Sequence, residues 1–272
     1  MRTLLVLRVL VLCCATCAFA PSASAVLVDW SALNWPAGSL SNSYDVDPAS
    51  AGNDVTTTIS GNTAQLQPSL VSPNPQTPAI TRAFDGGLGT SPYTLELALD
   101  LTNNTQSVTF TLNFSAQYAA GVSNVSFTIF DIDANNSGGS TYQDVISAIH
   151  ATSTTATLIA PTITNVGANV SLTGTGLVQL LTGQTSTVDL GAGSGAGNAT
   201  ISFNTTNISS ITFTYGSGAL FADPTYQHIG IYDISYEVVP EPGTTGACLA
   251  VVGVAVLRSY RQSKRRPKGL AV

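Results

Sequence analysis

The chain has 272 residues and a formal charge of −6, and only 9% of its side chains are charged, against about 25% in an average globular protein. The charge is also segregated: residues 26–239 hold fourteen acidic side chains and a single basic one, Arg82. Such a segment repels phosphate backbones and anionic lipid, which excludes nucleic-acid binding, and its lack of lysine excludes lysine-based covalent catalysis.

The N-terminus reads Met1-Arg2, an apolar run from Leu4 to Phe19 interrupted by Arg8, and then small residues. This is the pattern of a secretory signal peptide. Ala18-Phe19-Ala20 and Ala23-Ser24-Ala25 both fit a small-x-small cleavage site, and the second is preferred because cutting after Ala20 leaves Pro21 first. Residues 1–25 are therefore expected to be removed. The apolar run is short of the ~20 residues that a membrane span needs. Cys13, Cys14 and Cys17 leave with this segment, and the remaining Cys248 lies near the C-terminus. Cys14-x-x-Cys17 is then neither a redox nor a zinc motif, and the exported segment must be stable from its core alone.

From Val26 to Val238 the hydrophobic pattern has period two. Leu95, Leu97, Leu99 and Leu101 alternate with polar or small residues, as do Val108, Phe110, Leu112 and Phe114. Val125, Phe127 and Ile129 follow, then Ile201-Ser202-Phe203, Ile211 to Tyr215, and a last run from His228 to Val238. Short runs rich in Val, Ile, Phe and Thr, separated by Gly, Asn and Ser, read as half-buried strands. The expected fold is all-β: an antiparallel β-sandwich of jelly-roll type over residues 26–238. Segment 67–78, with Pro68, Pro73, Pro75 and Pro78, is expected to be a long loop or edge rather than a central strand.

Candidate chemistry is sparse. Arg82 is expected to pair with a nearby acid such as Asp85; the functional alternative is recognition of a carboxylate ligand. Asp131-Ile132-Asp133-Ala134-Asn135-Asn136-Ser137-Gly138-Gly139, with Asp144 beyond, admits two readings. In one, Asp131, Asp133, Asn135 and Asp144 place oxygens around Ca²⁺. In the other it is an Asn/Gly hairpin with solvated aspartates. It is no EF-hand, because a strand precedes it, Tyr142 stands at position twelve and Asn136 takes the place of the glycine. Glu96 and Glu237 are the carboxylates a glycosidase would need, but both fall within strand patterns. With His150 and His228 as the only histidines, a triad or a three-histidine zinc site has little material. Gly191 to Gly197 precedes a strand rather than a helix and reads as a loop, not a nucleotide fingerprint. Tyr226, His228 and Tyr232 suit a sugar-stacking platform or, more simply, the core or rim of a terminal strand.

The C-terminus carries the most specific pattern. Val239-Pro240-Glu241-Pro242-Gly243-Thr244 is followed by an apolar stretch, Gly246 to Leu257, and then by Arg258, Arg261, Lys264, Arg265, Arg266 and Lys268. The basic cluster holds the tail on the cytoplasmic side during export. As a helix, the fifteen residues Gly243 to Leu257 reach ~22 Å, short of a ~30 Å hydrocarbon core.

This three-part tail, residues 239–272, resembles the PEP-CTERM sorting signal of bacteria, although Ser259, Tyr260, Gln262 and Ser263 dilute its basic end. The resemblance implies a transient membrane helix, recognition of Pro240, Glu241 and Pro242 by an exosortase, removal of the tail and delivery to the cell surface. Its members are typically associated with exopolysaccharide or biofilm matrix. The expectation is a non-enzymatic exported protein whose partners are signal peptidase, exosortase and a polysaccharide. The alternatives are a carbohydrate-binding module and a secreted glycoside hydrolase.

Overall fold

The computed structural model describes residues 25–90, 92–137, 139–186 and 193–239, together with Arg258. The expected signal peptide up to Ser24, the Pro240-Glu241-Pro242 motif and the apolar run after it lie outside these residues. Ala25–Val239 forms one compact unit. Among the described residues no helix is long and apolar enough to cross a membrane.

In chain order the unit runs β1 (Ala25–Val28), β2 (Ser41–Tyr44), β3 (Val55–Gly61), β4 (Ala79–Thr81), β5 (Thr94–Leu99) and β6 (Ser107–Phe114). Then come β7 (Val122–Phe130), β8 (Ala134–Ser137), β9 (Ser140–Ser153), β10 (Leu158–Ile159), β11 (Thr162–Thr164) and β12 (Val170–Thr173). The last are β13 (Leu180–Gly183), β14 (Thr185–Ser186), β15 (Ala199–Phe203), β16 (Ile208–Ser217), β17 (Gln227–Ile231) and β18 (Ile234–Val238). Between them lie short 3₁₀ turns, such as Thr63–Gln65. The all-β expectation holds, and the pairing is antiparallel except between β8 and β14.

Two strand series emerge from the pairing. One runs β2-β3-β6-β16-β9, with β13 and β10 on the far edge of β9. The other places β17 and β18 end to end along one edge of β7 and β15 along its other edge. β5 extends it beyond β17, and β1 beyond β18. A single pair, Ile208 with Val122, joins the series. The sheet curls so that their apolar faces meet.

The period-two sequence dictates that interior. In β6, Val108, Phe110, Leu112 and Phe114 are buried while the residues between them are not. Phe213 of β16 stacks on Phe110 of β6 at 5.0 Å and on Phe127 of β7 at 5.9 Å, so one ring ties both series together. Phe114 meets Tyr236 of β18 edge-on at 4.9 Å.

Two expectations need correction. Thr94–Leu99 reads as half-buried, yet all six of its residues are buried. The Pro-rich segment contributes to this: it pairs along the edge of β5, where Gln67 N–H donates to the Ala98 carbonyl at 3.0 Å, and reaches the outer side, where Ser69 Oγ donates to Glu96 at 2.7 Å. The run from His228 to Val238 is two strands rather than one. The chain breaks at Tyr232-Asp233, where Tyr232 N–H donates to the Thr128 carbonyl and Asp233 accepts the Trp30 N–H.

On the outer side of the first series, hydroxyl side chains align in rows. Ser41 stands opposite Thr58, Thr58 opposite Thr111, and Thr111 opposite Thr212. Hydroxyl pairs link neighbours, as in Ser43 with Thr56 at 2.8 Å and Thr109 with Thr214 at 3.3 Å. None of β2, β3, β6 or β16 contains a charged residue.

Truncating Phe213 to Ala removes the ring that both series share. We expect a loss of roughly 3–5 kcal/mol, read as a lower midpoint in urea; a loss under about 1 kcal/mol contradicts this role for the ring.

Candidate functional site

The densest chemistry lies beneath the Pro-rich roof, on the outer side of β5 and β17. Alternation turns Leu95, Leu97 and Leu99 to the core, which leaves Glu96 on the roofed side, fully buried. Its Oε2 accepts Ser69 Oγ and Thr81 Oγ1, each at 2.7 Å. Its Oε1 lies 3.3 Å from His228 Nδ1, while His228 Nε2 lies 3.5 Å from Asp131 Oδ2. The imidazole thus bridges a carboxylate from β5 and one from the loop after β7. Phe84 and Tyr226 pack edge-on against it, at 4.7 and 5.5 Å.

Beyond Asp131 the chain forms a hairpin. β8 pairs with β9 through Ala134–Gln143 to Ser137–Ser140, with Gly139 at φ +88° in the turn. This is the hairpin alternative of the sequence reading, but its aspartates are buried rather than solvated. Tyr215 OH donates to Asp144 Oδ1 at 2.7 Å, and Asp133 N–H donates to Asp144 Oδ2 at 3.1 Å. Burial, then the like charge of Asp133, push the Asp144 carboxyl well above the usual carboxylate range. Asn135 Oδ1 accepts both the N–H and the hydroxyl of Ser137, at 3.0 and 2.9 Å.

The four expected calcium ligands are therefore neighbours in the chain. Asn135 Oδ1 is engaged by Ser137 in its own loop, and the two Asp144 oxygens accept Tyr215 OH and Asp133 N–H. Among the described residues, no group of three or more His, Cys, Asp or Glu is arranged to hold a metal ion.

Other expected site residues are separated. Glu96 stands opposite Gly230, which pairs with Phe130, whereas Glu237 pairs with Ser123. Seven residues of β7 at ~3.3 Å each put their backbones about 23 Å apart, too far for the 5–9.5 Å carboxylate pair of a glycosidase. Nor do Tyr226, His228 and Tyr232 share one platform. Phe84 packs so closely over Gly230 that a Cβ there would lie 2.5 Å from its ring. Tyr232 stacks on Phe130 at 5.2 Å, and Tyr226 OH donates to the Pro68 carbonyl at 3.1 Å. Arg82 does not pair with Asp85: its guanidinium lies 4.2 Å above the Tyr93 ring, and Asp85 accepts the Gly87 N–H.

A second polar centre escaped the sequence reading because its members are scattered along the chain. Buried Asp54 accepts the N–H groups of Val46 and Asp47 at 2.7 and 2.6 Å and Tyr118 OH at 2.7 Å, with Ser50 and Gln117 completing the set. Burial opposes its ionisation, but the donors outweigh burial and hold its pKa below the usual range. This interaction stabilises the fold above that range and is lost as pH falls through it. Asp233 behaves oppositely. Burial raises its pKa to about 6, opposed by the Trp30 N–H and assisted by Asp29. The folded chain keeps that proton longer than the unfolded one, so stability falls as pH rises from about 4 to about 6.

No family model matches the chain, and no curated protein matches it. Among solved structures, it is similar to TmCBM61 in complex with β-1,4-galactotriose at 11% identity, over 66% of this chain and 86% of that one, with a TM-score of 0.28. It is also similar to the family 11 carbohydrate-binding module from Clostridium thermocellum, in complex with a β-1,3-1,4-mixed-linked tetrasaccharide. There the identity is 13% over 78% of this chain and 94% of that one, with a TM-score of 0.26.

The arrangement around Asp144 predicts equal melting temperatures in chelator and in millimolar calcium, since a ligand of the folded state must raise stability. A rise of several degrees that Asp144→Asn abolishes would restore Asp144 as a cation ligand.

Proposed function

We propose that this chain is an exported, non-enzymatic protein of the cell surface or extracellular matrix, a β-sandwich of jelly-roll type matured at both ends. Signal peptidase acts after Ala25, and an exosortase acts at Pro240-Glu241-Pro242. The observation that carries this reading is the order and spacing of the tail: a Pro-Glu-Pro motif, a short apolar run and a basic end.

The geometry of the compact unit supports it. β1 pairs with β18, so that Ala25 stands opposite Glu237 and Val28 opposite Ile234. The unit thus begins and ends on neighbouring strands. Cleavage after Ala25 keeps both buried residues of β1, Val26 and Val28. Cleavage near Pro242 removes nothing from β18. The separation of Glu96 from Glu237 argues against the glycosidase alternative that uses this pair.

The test is the intact mass of the protein released from the surface of its native cells. The expected species begins at Val26 and ends near Pro242, with or without added glycan mass. A species that retains Arg258 to Val272 overturns sorting and leaves a simple membrane anchor.

A further inference from the structure

Building on the reading of the chain as a matrix protein, we propose that the outer face of β2, β3, β6 and β16 is a docking surface for a neutral polysaccharide.

Charge distribution is the first argument. Fourteen acidic side chains fall within residues 26–239, yet these four adjacent strands contain none. Arg82, the single basic residue of this segment, lies outside them as well, so the four strands carry no formal charge. A sheet face without any neither steers nor repels an ion, and a neutral ligand can lie on it without burying an unpaired charge. A protein partner of ordinary composition would bring charges that find no counter-charge here. Anionic polymers are disfavoured by the acidic remainder of the unit.

Order is the second argument. The Ser41-Thr58-Thr111-Thr212 row crosses the face, and the Thr109–Thr214 pair lies beside it. Neighbouring strands lie about 4.8 Å apart, and alternate residues along a strand about 6.8 Å apart. The result is a regular grid in which each threonine carries a hydroxyl and a methyl group. β-Branched side chains are stiff at χ1, and cross-strand hydroxyl pairs restrict them further, so little rotamer freedom is lost on binding. An extended, uncharged chain that is itself a dense series of hydroxyls and C–H faces matches this grid.

The other series does not offer the same surface. Its hydroxyl pairs, Ser126 with Ser202 and Thr128 with Thr200, are flanked by Glu237 on β18 and by the roof over Glu96. The grid of the first series ends at β9, where the register with β16 shifts around Ala148 at φ +50°.

The experiment is co-sedimentation of the protein released from its native cells with insoluble neutral glycans (a β-glucan, a galactan and chitin) and with an insoluble anionic polysaccharide. The wild type is expected to sediment with at least one neutral glycan and not with the anionic one. Thr111→Lys, at the centre of the grid, should weaken retention at least ~10-fold, because it sets an unpaired charge against the ligand. Thr128→Lys, on the other series, should bind as the wild type does. If Thr111→Lys lowers the melting temperature, the paired Thr111→Val and Thr212→Val substitutions, which keep shape and remove only hydroxyls, decide instead. Unaltered retention by the grid variants, or no retention of the wild type on any neutral glycan, overturns the proposal. So does self-association or ice-crystal shaping that depends on Thr111 in place of glycan retention. The intact mass is read on the same sample. Correct processing without retention overturns the docking face alone, whereas a retained tail overturns the export reading while the sedimentation result still decides the face.

Discussion

A shortage of cations governs how this fold handles its acids. Arg82 is the single Lys or Arg in residues 26–239, and it stacks on Tyr93 instead of pairing with a carboxylate. Buried carboxylates must therefore be held by neutral donors, by one histidine or by their own protons. Each solution occurs. Ser69, Thr81 and His228 hold Glu96; backbone N–H groups and Tyr118 hold Asp54; Asp144 remains a buried acid against Tyr215. A buried carboxylate that accepts several hydrogen bonds can stay ionised without a cation, whereas burial and a neighbouring carboxylate disfavour ionisation. Donor number separates the two sites: Asp54 accepts two backbone N–H groups and three side chains, Asp144 one of each beside Asp133.

The same economy of charge shapes the surface. With Glu96 beneath the roof, Asp144 buried in β9, Glu237 on β18 and the other described acids in loops, β2, β3, β6 and β16 are left to Thr, Ser and Asn on their outer side. In the histidine–carboxylate array, Phe84 and Tyr226 pack edge-on against a partly exposed His228, and Ser69 ties the Pro-rich segment to Glu96 on β5. The uncharged grid has little local chemistry, but it is extended and regular.

Much of this was legible from periodicity. Alternation in Val108 to Phe114 and in Ile211 to Tyr215 places the core residues of β6 and β16 correctly, because a strand has only two sides. Alternation fails where both sides are covered: Thr94, Glu96 and Ala98 are small or polar, and nothing local reveals that residues 67–78 fold over them. Likewise, the Asp131–Asp144 segment is readable as a hairpin, but the burial of its aspartates depends on β13 and β16. In the Asp54 centre, Tyr118 bonds a carboxylate 64 positions earlier in the chain, a separation that no local pattern encodes. The hydroxyl grid was present in the sequence as plain Thr and Ser content; only strand register turns that composition into rows.

Buried acids in this fold are stabilised by neutral donors, and the most direct test is a pH titration of the aspartate carboxyl carbons by NMR. Asp54 should titrate below the ordinary carboxylate range and Asp233 near pH 6, while Asp144 should keep its proton well above that range. An Asp144 that ionises like an exposed aspartate, or an Asp54 that titrates at or above the ordinary value, would contradict it.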